Sequence, residues 1–182
     1  MSRIAPTKGS PQDRLLQYLL LRAGDSRLHL SCLNVLLGHL IPFNRPHGIK
    51  VQGLSEAGVE VRLPYLRRNM NHIQGLHACA LATAAEFASG LALVRHLGFS
   101  RYRLIMRELS AVYLKQGRTD TLARCECTTS WVQEHVLTPL ENGAEVDVRL
   151  TPKLFSSDGS LLAEVTVHWQ VKHWSAVKGR AS

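Results

Sequence analysis

The sequence predicts one α+β domain in which a single antiparallel sheet wraps around a long buried helix. Three observations predict it. The stretch HACALATAAEFASGLALVRHLG is rich in the helix formers alanine and leucine, and it is apolar all round. The segments on either side alternate apolar and polar residues with period two, the pattern of strands with one buried face. A lone helix without a wet face needs cover on most sides, and one curled sheet supplies that cover economically.

Taken in order, residues 1–11 read as a loose tail and residues 12–23 as a short helix with Leu15, Leu16, Leu19 and Leu20 on one face. A second helix is predicted over residues 28–40, stopping before Pro42. Together these form an N-terminal extension over residues 12–45, whose leucine-rich faces would suit a lid over an apolar tunnel. The main domain is expected over residues 46–174, with a tail at 175–182. Residues 49–54 are a candidate strand. Val59, Val61 and Leu63 then alternate with Glu60 and Arg62 until Pro64 ends the run. The central helix is expected over about residues 77–97, with Gly98 as its stop. Four strands follow. Residues 102–115 and 119–129 read as a hairpin through Gly117, a helical turn covers 131–137, residues 145–154 form a third strand, and Asp158-Gly159 turns the chain into a fourth over 161–174.

The 182 residues suit one domain with a core of its own. The formal net charge is +8, spread along the chain with short dense spots at Arg67-Arg68 and at Arg101, Arg103 and Arg107. Solvated cationic faces or an anionic ligand account for this. No basic run, nucleic-acid motif or aromatic-rich base-stacking surface points to nucleic acid. Cys32, Cys79, Cys125 and Cys127 form no CxxC pair and read as small buried hydrophobes, with no metal or redox cofactor expected. No signal-peptide pattern is evident, so the expected location is the cytoplasm. The central helix carries Glu86 midway and mostly small side chains, which argues against a membrane span.

The segment Asn71-His72-Ile73-Gln74-Gly75-Leu76-His77, followed by Glu86, resembles the signature of hotdog-fold acyl-CoA thioesterases of the phenylacetyl-CoA thioesterase type. It is closer still to a bacterial branch of that superfamily catalogued as a domain of unknown function, in which an Asn-His and a His-Ala-x-Ala-Leu recur before a Glu. The resemblance covers residues 46–174 and implies a hotdog fold, an acyl thioester substrate with coenzyme A as part of it, and a homodimer or a tetramer. It carries the catalytic acid onto Glu86 and the motif's Asn, Gly and His onto Asn71, Gly75 and His77. The family usually has glycines directly after the His. This chain has Ala78 and Cys79, whose side chains narrow the space beside the helix start.

Thioester hydrolysis needs a donor for the oxyanion and a base or nucleophile. The first helical turn offers the N–H groups of Ala78 and Cys79 at the positive end of the helix dipole. Glu86 is the only carboxylate in the helix, and burial would raise its pKa. It serves as base or nucleophile, or as a structural acid paired with an arginine or a backbone donor. Asn71 and His77 position water, substrate or the loop. His77 and Glu86 lie about 13 Å apart along one helix. If both act on one thioester they come from two chains, which predicts sites at a two-fold interface. Cys79, Ala82, Thr83, Glu86, Ser89 and Gly90 share the small, polar helix face that a second chain or a thin ligand would approach, while Leu81, Ala84, Ala88 and Leu91 pack inward. The alternatives are a hotdog protein that binds an acyl-CoA or lipid without turning it over, favoured by the Ala78-Cys79 departure, and a hydratase or dehydratase on the same fold.

Overall fold

The computed structural model describes residues 10–177. Most of the expected N-terminal tail, and residues 178–182, lie outside the described residues. Ser10 already belongs to a helix: its hydroxyl accepts from the Asp13 N–H while the Asp13 carboxylate accepts from the Ser10 N–H, a capping box that starts α1 (Pro11–Arg22). α2 (Arg27–Leu40) and a short α3 (Asn44–His47) follow, then β1 (Lys50–Ser55) and β2 (Gly58–Leu63). After a loop comes α4 (Ala78–Leu97), 20 residues long, stopped at Gly98. The rest is β3 (Tyr102–Tyr113), β4 (Thr121–Glu126), α5 (Thr129–Val132), a π-helical turn (Gln133–Leu137), α6 (Thr138–Asn142), β5 (Glu145–Leu150), β6 (Lys153–Ser156) and β7 (Leu161–His173).

The strands form one seven-stranded sheet, antiparallel at every pairing, in the order β1-β2-β4-β6-β7-β3, with β5 also paired to β7. It wraps α4, which is the hotdog arrangement. The period-two residues Val59, Val61 and Leu63, Ala123 and Cys125, and Val165, Val167 and Val171 are all buried, as are Leu81, Ala84, Ala88 and Leu91 of the helix. By length and composition α4 could cross a membrane, but most of it is buried inside this sheet, as a core helix should be. Gly58 shows how tightly the sheet is built. A Cβ there would lie 2.0 Å from the carbonyl oxygen of Cys125 on β4, so only glycine lets the strands approach.

Four expectations are corrected. β3 and β4 are not a hairpin: β3 pairs with β7, and both edges of β4 are taken by β2 and β6. The connection instead passes the start of α4, where the Gly117 carbonyl accepts the Leu76 N–H at 2.8 Å and Gly117 packs against Leu76 and Leu162. The strand expected over 145–154 is two strands, β5 and β6. Pro152, which has no N–H for a ladder, stands between them. The helical turn at 131–137 is part of a longer segment from Thr129 to Asn142. Cys125 and Cys127 are buried, with burial holding both thiols far above the ordinary thiol range, but Cys32 and Cys79 are exposed.

α1 and α2 pack beside the open edge of the sheet rather than over the start of α4. The Asn34 side chain bonds both the N–H and the C=O of Val51, occupying backbone groups of edge strand β1. Gln17 reaches the Val94 carbonyl near the C-terminal end of α4.

Candidate active site

The loop that leads into α4 is clamped from both sides. Asn69, 1% exposed, donates its side-chain amide to the carbonyls of His47 and Pro64, and its Oδ1 faces Nδ1 of His47 at 3.0 Å. Its backbone carbonyl accepts the His77 N–H at 2.7 Å. Asn71 closes the loop locally, its Oδ1 accepting from the N–H groups of Ile73 and Gly75. Gln74 is held in the left-handed region at φ 60°, and its carbonyl accepts from the Tyr65 hydroxyl. Gly75 is buried against the Gln116 side chain, which would have to move aside for a Cβ there.

These restraints place His77 at the N-cap of α4, where its Nδ1 accepts from the Cys79 N–H at 3.1 Å. That bond requires an unprotonated Nδ1, leaving Nε2 as the group turned outward. It also occupies one of the two backbone donors expected for an oxyanion. The other, the Ala78 N–H, has no partner among the described residues, as its N1 position dictates. The Ala78 carbonyl accepts from the Tyr113 hydroxyl at 2.9 Å, tying the first turn to the end of β3. Burial, and secondarily the neighbouring Cys79 thiol, raise the Tyr113 pKa.

A cavity of about 400 Å³ opens at this corner, lined by Asn71, Leu76, Ala78, Leu81, Tyr113 and Lys115 among others. Thus Asn71 and Ala78 share one cavity, and Gly75 braces its wall through Gln116. His77, Cys79 and Thr83 do not line it. Thr83 instead donates back to the Cys79 carbonyl at 2.8 Å. Glu86 lies further along α4, partly buried on the face that continues through Cys79, Ala82 and Thr83. Its carboxylate has no hydrogen-bond or ion-pair partner among the described residues, so the structural pairing considered for it is not seen. Burial without a compensating charge raises its pKa. Ser89, expected on this face, is instead fully buried, bonding the Trp169 indole N–H at 3.0 Å and the Glu86 carbonyl at 2.8 Å.

The sequence reading missed Asn69, His47 and Tyr113. Asn69 and His47 carry no periodic signal because their partner is 22 residues away. Tyr113 reads as one more alternating strand residue.

The family model described as a domain of unknown function, DUF4442, matches residues 31–171. The chain belongs to this DUF4442 family. No curated protein matches it. Several solved structures share its fold. A Pseudomonas aeruginosa protein of unknown function, described as a probable thioesterase, superimposes with a TM-score of 0.68 at 20% identity, over 77% of this chain and 93% of that one. A Haemophilus influenzae thioesterase gives 0.66 at 17% identity, over 84% and 94%. A mutant thioesterase from Pseudomonas aeruginosa gives 0.62 at 18%, over 79% and 94%. At these identities the likeness establishes the hotdog fold of this DUF4442 member.

Proposed function

We propose that this DUF4442 protein is a thioesterase that hydrolyses an acyl-CoA, or another acyl thioester, at a site shared between two copies of the chain. The observation that carries the reading is Glu86: a partly buried carboxyl with raised pKa and no structural partner, on a half-buried face of the central helix. Buried acids without partners are costly to stability and suit a base working near neutral pH.

The chemistry follows from the groups present. The thioester carbonyl oxygen accepts from the Ala78 N–H at the positive end of α4. Glu86 of the second copy takes a proton from water, whose oxygen attacks the carbonyl carbon. The C–S bond breaks, and the departing thiolate takes the proton, giving a carboxylic acid and a free thiol. Leu76 and Leu81 give the cavity an apolar wall for the acyl part, and Lys115 supplies a cation at its lining for an anionic group. No other cofactor is needed.

The surface supports a second copy. β3 is 12 residues long and pairs only with β7, leaving one edge open. Met106 pairs with Trp169, so its side chain faces the helix side of the sheet, yet it is 44% exposed. Ile105 and Val112 on the other face of this strand are exposed too. An open antiparallel edge of this length beside an exposed apolar strip is suited to pairing with a second copy about a two-fold axis. The binding-only reading has one observation in its favour: with the Cys79 N–H engaged by His77, a single backbone donor remains for the oxyanion.

Thiol release from a panel of acyl-CoA esters, short to long and aryl, decides between them. Release by the wild type that Glu86→Ala abolishes, with the variant folded, is the expected result. Absence of release from every ester, together with ligand-dependent thermal shifts, would establish the binding-only reading.

A further inference from the structure

The large apolar side chains that remain exposed fall mainly into two groups. One, on β3 and the residues just after it, belongs to the surface assigned above to a second copy. The other lies on α1 and α2: Leu15, Tyr18, Leu21, Leu28 and Val35. Leu21 and Leu28 are the most exposed of all, at 71% and 72%, and they flank the turn between the two helices. The same helices already bury Leu16, Leu19, Leu20, Leu33 and Leu37 against the domain. They are therefore apolar on two sides, which docking onto the domain does not require.

The outward residues are ordered. Leu28, Cys32 and Val35 follow one another at four- and three-residue spacing, so they form one exposed stripe on α2. Leu15, Tyr18 and Leu21 follow at three-residue spacing on α1, and Tyr18 meets His29 of α2, its hydroxyl 3.4 Å from Nε2. Arg14, Arg22 and Arg27 are exposed around this strip and have no acidic partner among the described residues. Of the nearby acids, Asp13 is committed to the cap at Ser10, which leaves Asp25. The whole chain is also cationic at +8.

We infer that the α1–α2 pair seats the protein on a bilayer bearing anionic headgroups. Exposed leucines enter the boundary between headgroups and acyl chains, and the arginines hold the lipid phosphates. Apolar insertion and cationic attraction together are the two signals that stable peripheral binding needs. The helices lie on the surface rather than span it, since the 12 and 14 residues of α1 and α2 fall short of the ~20 a span requires. This inference is independent of the thioesterase reading, because none of these residues lines the Ala78 cavity.

The test is co-sedimentation of the full chain with phosphatidylcholine vesicles, with and without phosphatidylglycerol, at low and high salt. The wild type should pellet with the anionic vesicles and be released by salt. Leu21→Glu with Leu28→Glu should weaken binding about tenfold or more, with an unchanged circular dichroism spectrum. Arg22→Gln with Arg27→Gln, both at exposed positions, should remove the preference for anionic lipid, and this pair decides the matter if the leucine variant does not fold. Wild type that ignores the vesicles, binds both compositions equally, or is matched by both variants would overturn the inference. So would a wild type that does not bind vesicles but whose mass by light scattering drops in the leucine variant, since a second copy would then cover the strip.

Discussion

The backbone carbonyl of Asn69 holds the N–H of His77 at 2.7 Å, and through it the buried Asn69 amide sets the position of the α4 cap. The Asn69 side chain is itself fixed by His47 and Pro64. Replacing it with alanine leaves two carbonyls and an imidazole nitrogen without their partner, the Pro64 carbonyl in a buried position and the His47 groups in a half-buried one. Each such loss costs about 1–3 kcal/mol, and relaxation recovers part of it. Asn69→Ala should therefore lower unfolding free energy by about 2–4 kcal/mol in urea titration. His47→Ala, which removes a side chain at the edge of the network, should cost less. Equal, small effects from both would show that Asn69 is not the keystone.

A sharper test of the site lies one residue further on. Ala78 occupies the first helical position, where proline is tolerated because its missing N–H has no intrahelical acceptor. His77, at φ −64° and ψ 137°, already has the extended backbone that a following proline demands. Ala78→Pro thus deletes one hydrogen-bond donor and leaves helix, cap and the Tyr113 bond in place. Stability should stay within about 1 kcal/mol of wild type, while thioester hydrolysis should fall about 10²–10³-fold, as for the loss of one oxyanion donor. Retention of full activity would mean that the Ala78 N–H does not meet the substrate.

Glu86 makes stability depend on pH with a definite sign. Its pKa in the folded chain is raised by burial, so between the ordinary carboxyl range and the raised value the folded state binds more protons than the unfolded state. Stability from this group is highest at the acid side of that window and falls as pH rises through it. Glu86→Gln should flatten that limb and be the more stable protein at neutral pH, as measured by chemical denaturation across the window. If Glu86 is the base, hydrolysis by the wild type should rise over the same window, since the base form is the ionised one. A wild type and a Glu86→Gln variant with parallel pH profiles would remove Glu86 from both roles.

The parts of this molecule that were legible in its sequence are those whose cause is local. α4 could be read from composition, and β2, β4 and β7 from alternation, because one face of each is buried. The place of Ala78 in the first helical turn followed from the helix boundary, whereas the capping of that turn by the His77 ring was not read from the sequence. What was not legible depends on tertiary neighbours. Nothing in residues 114–120 says that β3 will pair with β7 rather than β4; the sheet decides that. Ser89 shares the spacing of Glu86 but is claimed by Trp169, a side chain 80 residues away that is long enough to reach it. Asn69 looks like any polar loop residue until His47 is folded against it.

The shared-site proposal can be tested without a structure of the dimer. Ala78 and Glu86 are about 12 Å apart along one helix, too far to act on one carbonyl, so the proposal requires the Ala78 N–H of one copy to work with Glu86 of the other. Ala78→Pro and Glu86→Ala each inactivate both sites of their own homodimer. Mixed by unfolding and refolding together, they form hybrids in which one site has an intact Ala78 from the Glu86→Ala chain and an intact Glu86 from the Ala78→Pro chain. Its companion site carries both defects. With random pairing about half of the dimers are hybrids, so activity should return to about a quarter of wild type. No return, with hybrids confirmed by native mass spectrometry, would place the two groups in separate functions. A wild type that is strictly monomeric in solution would remove the shared site altogether.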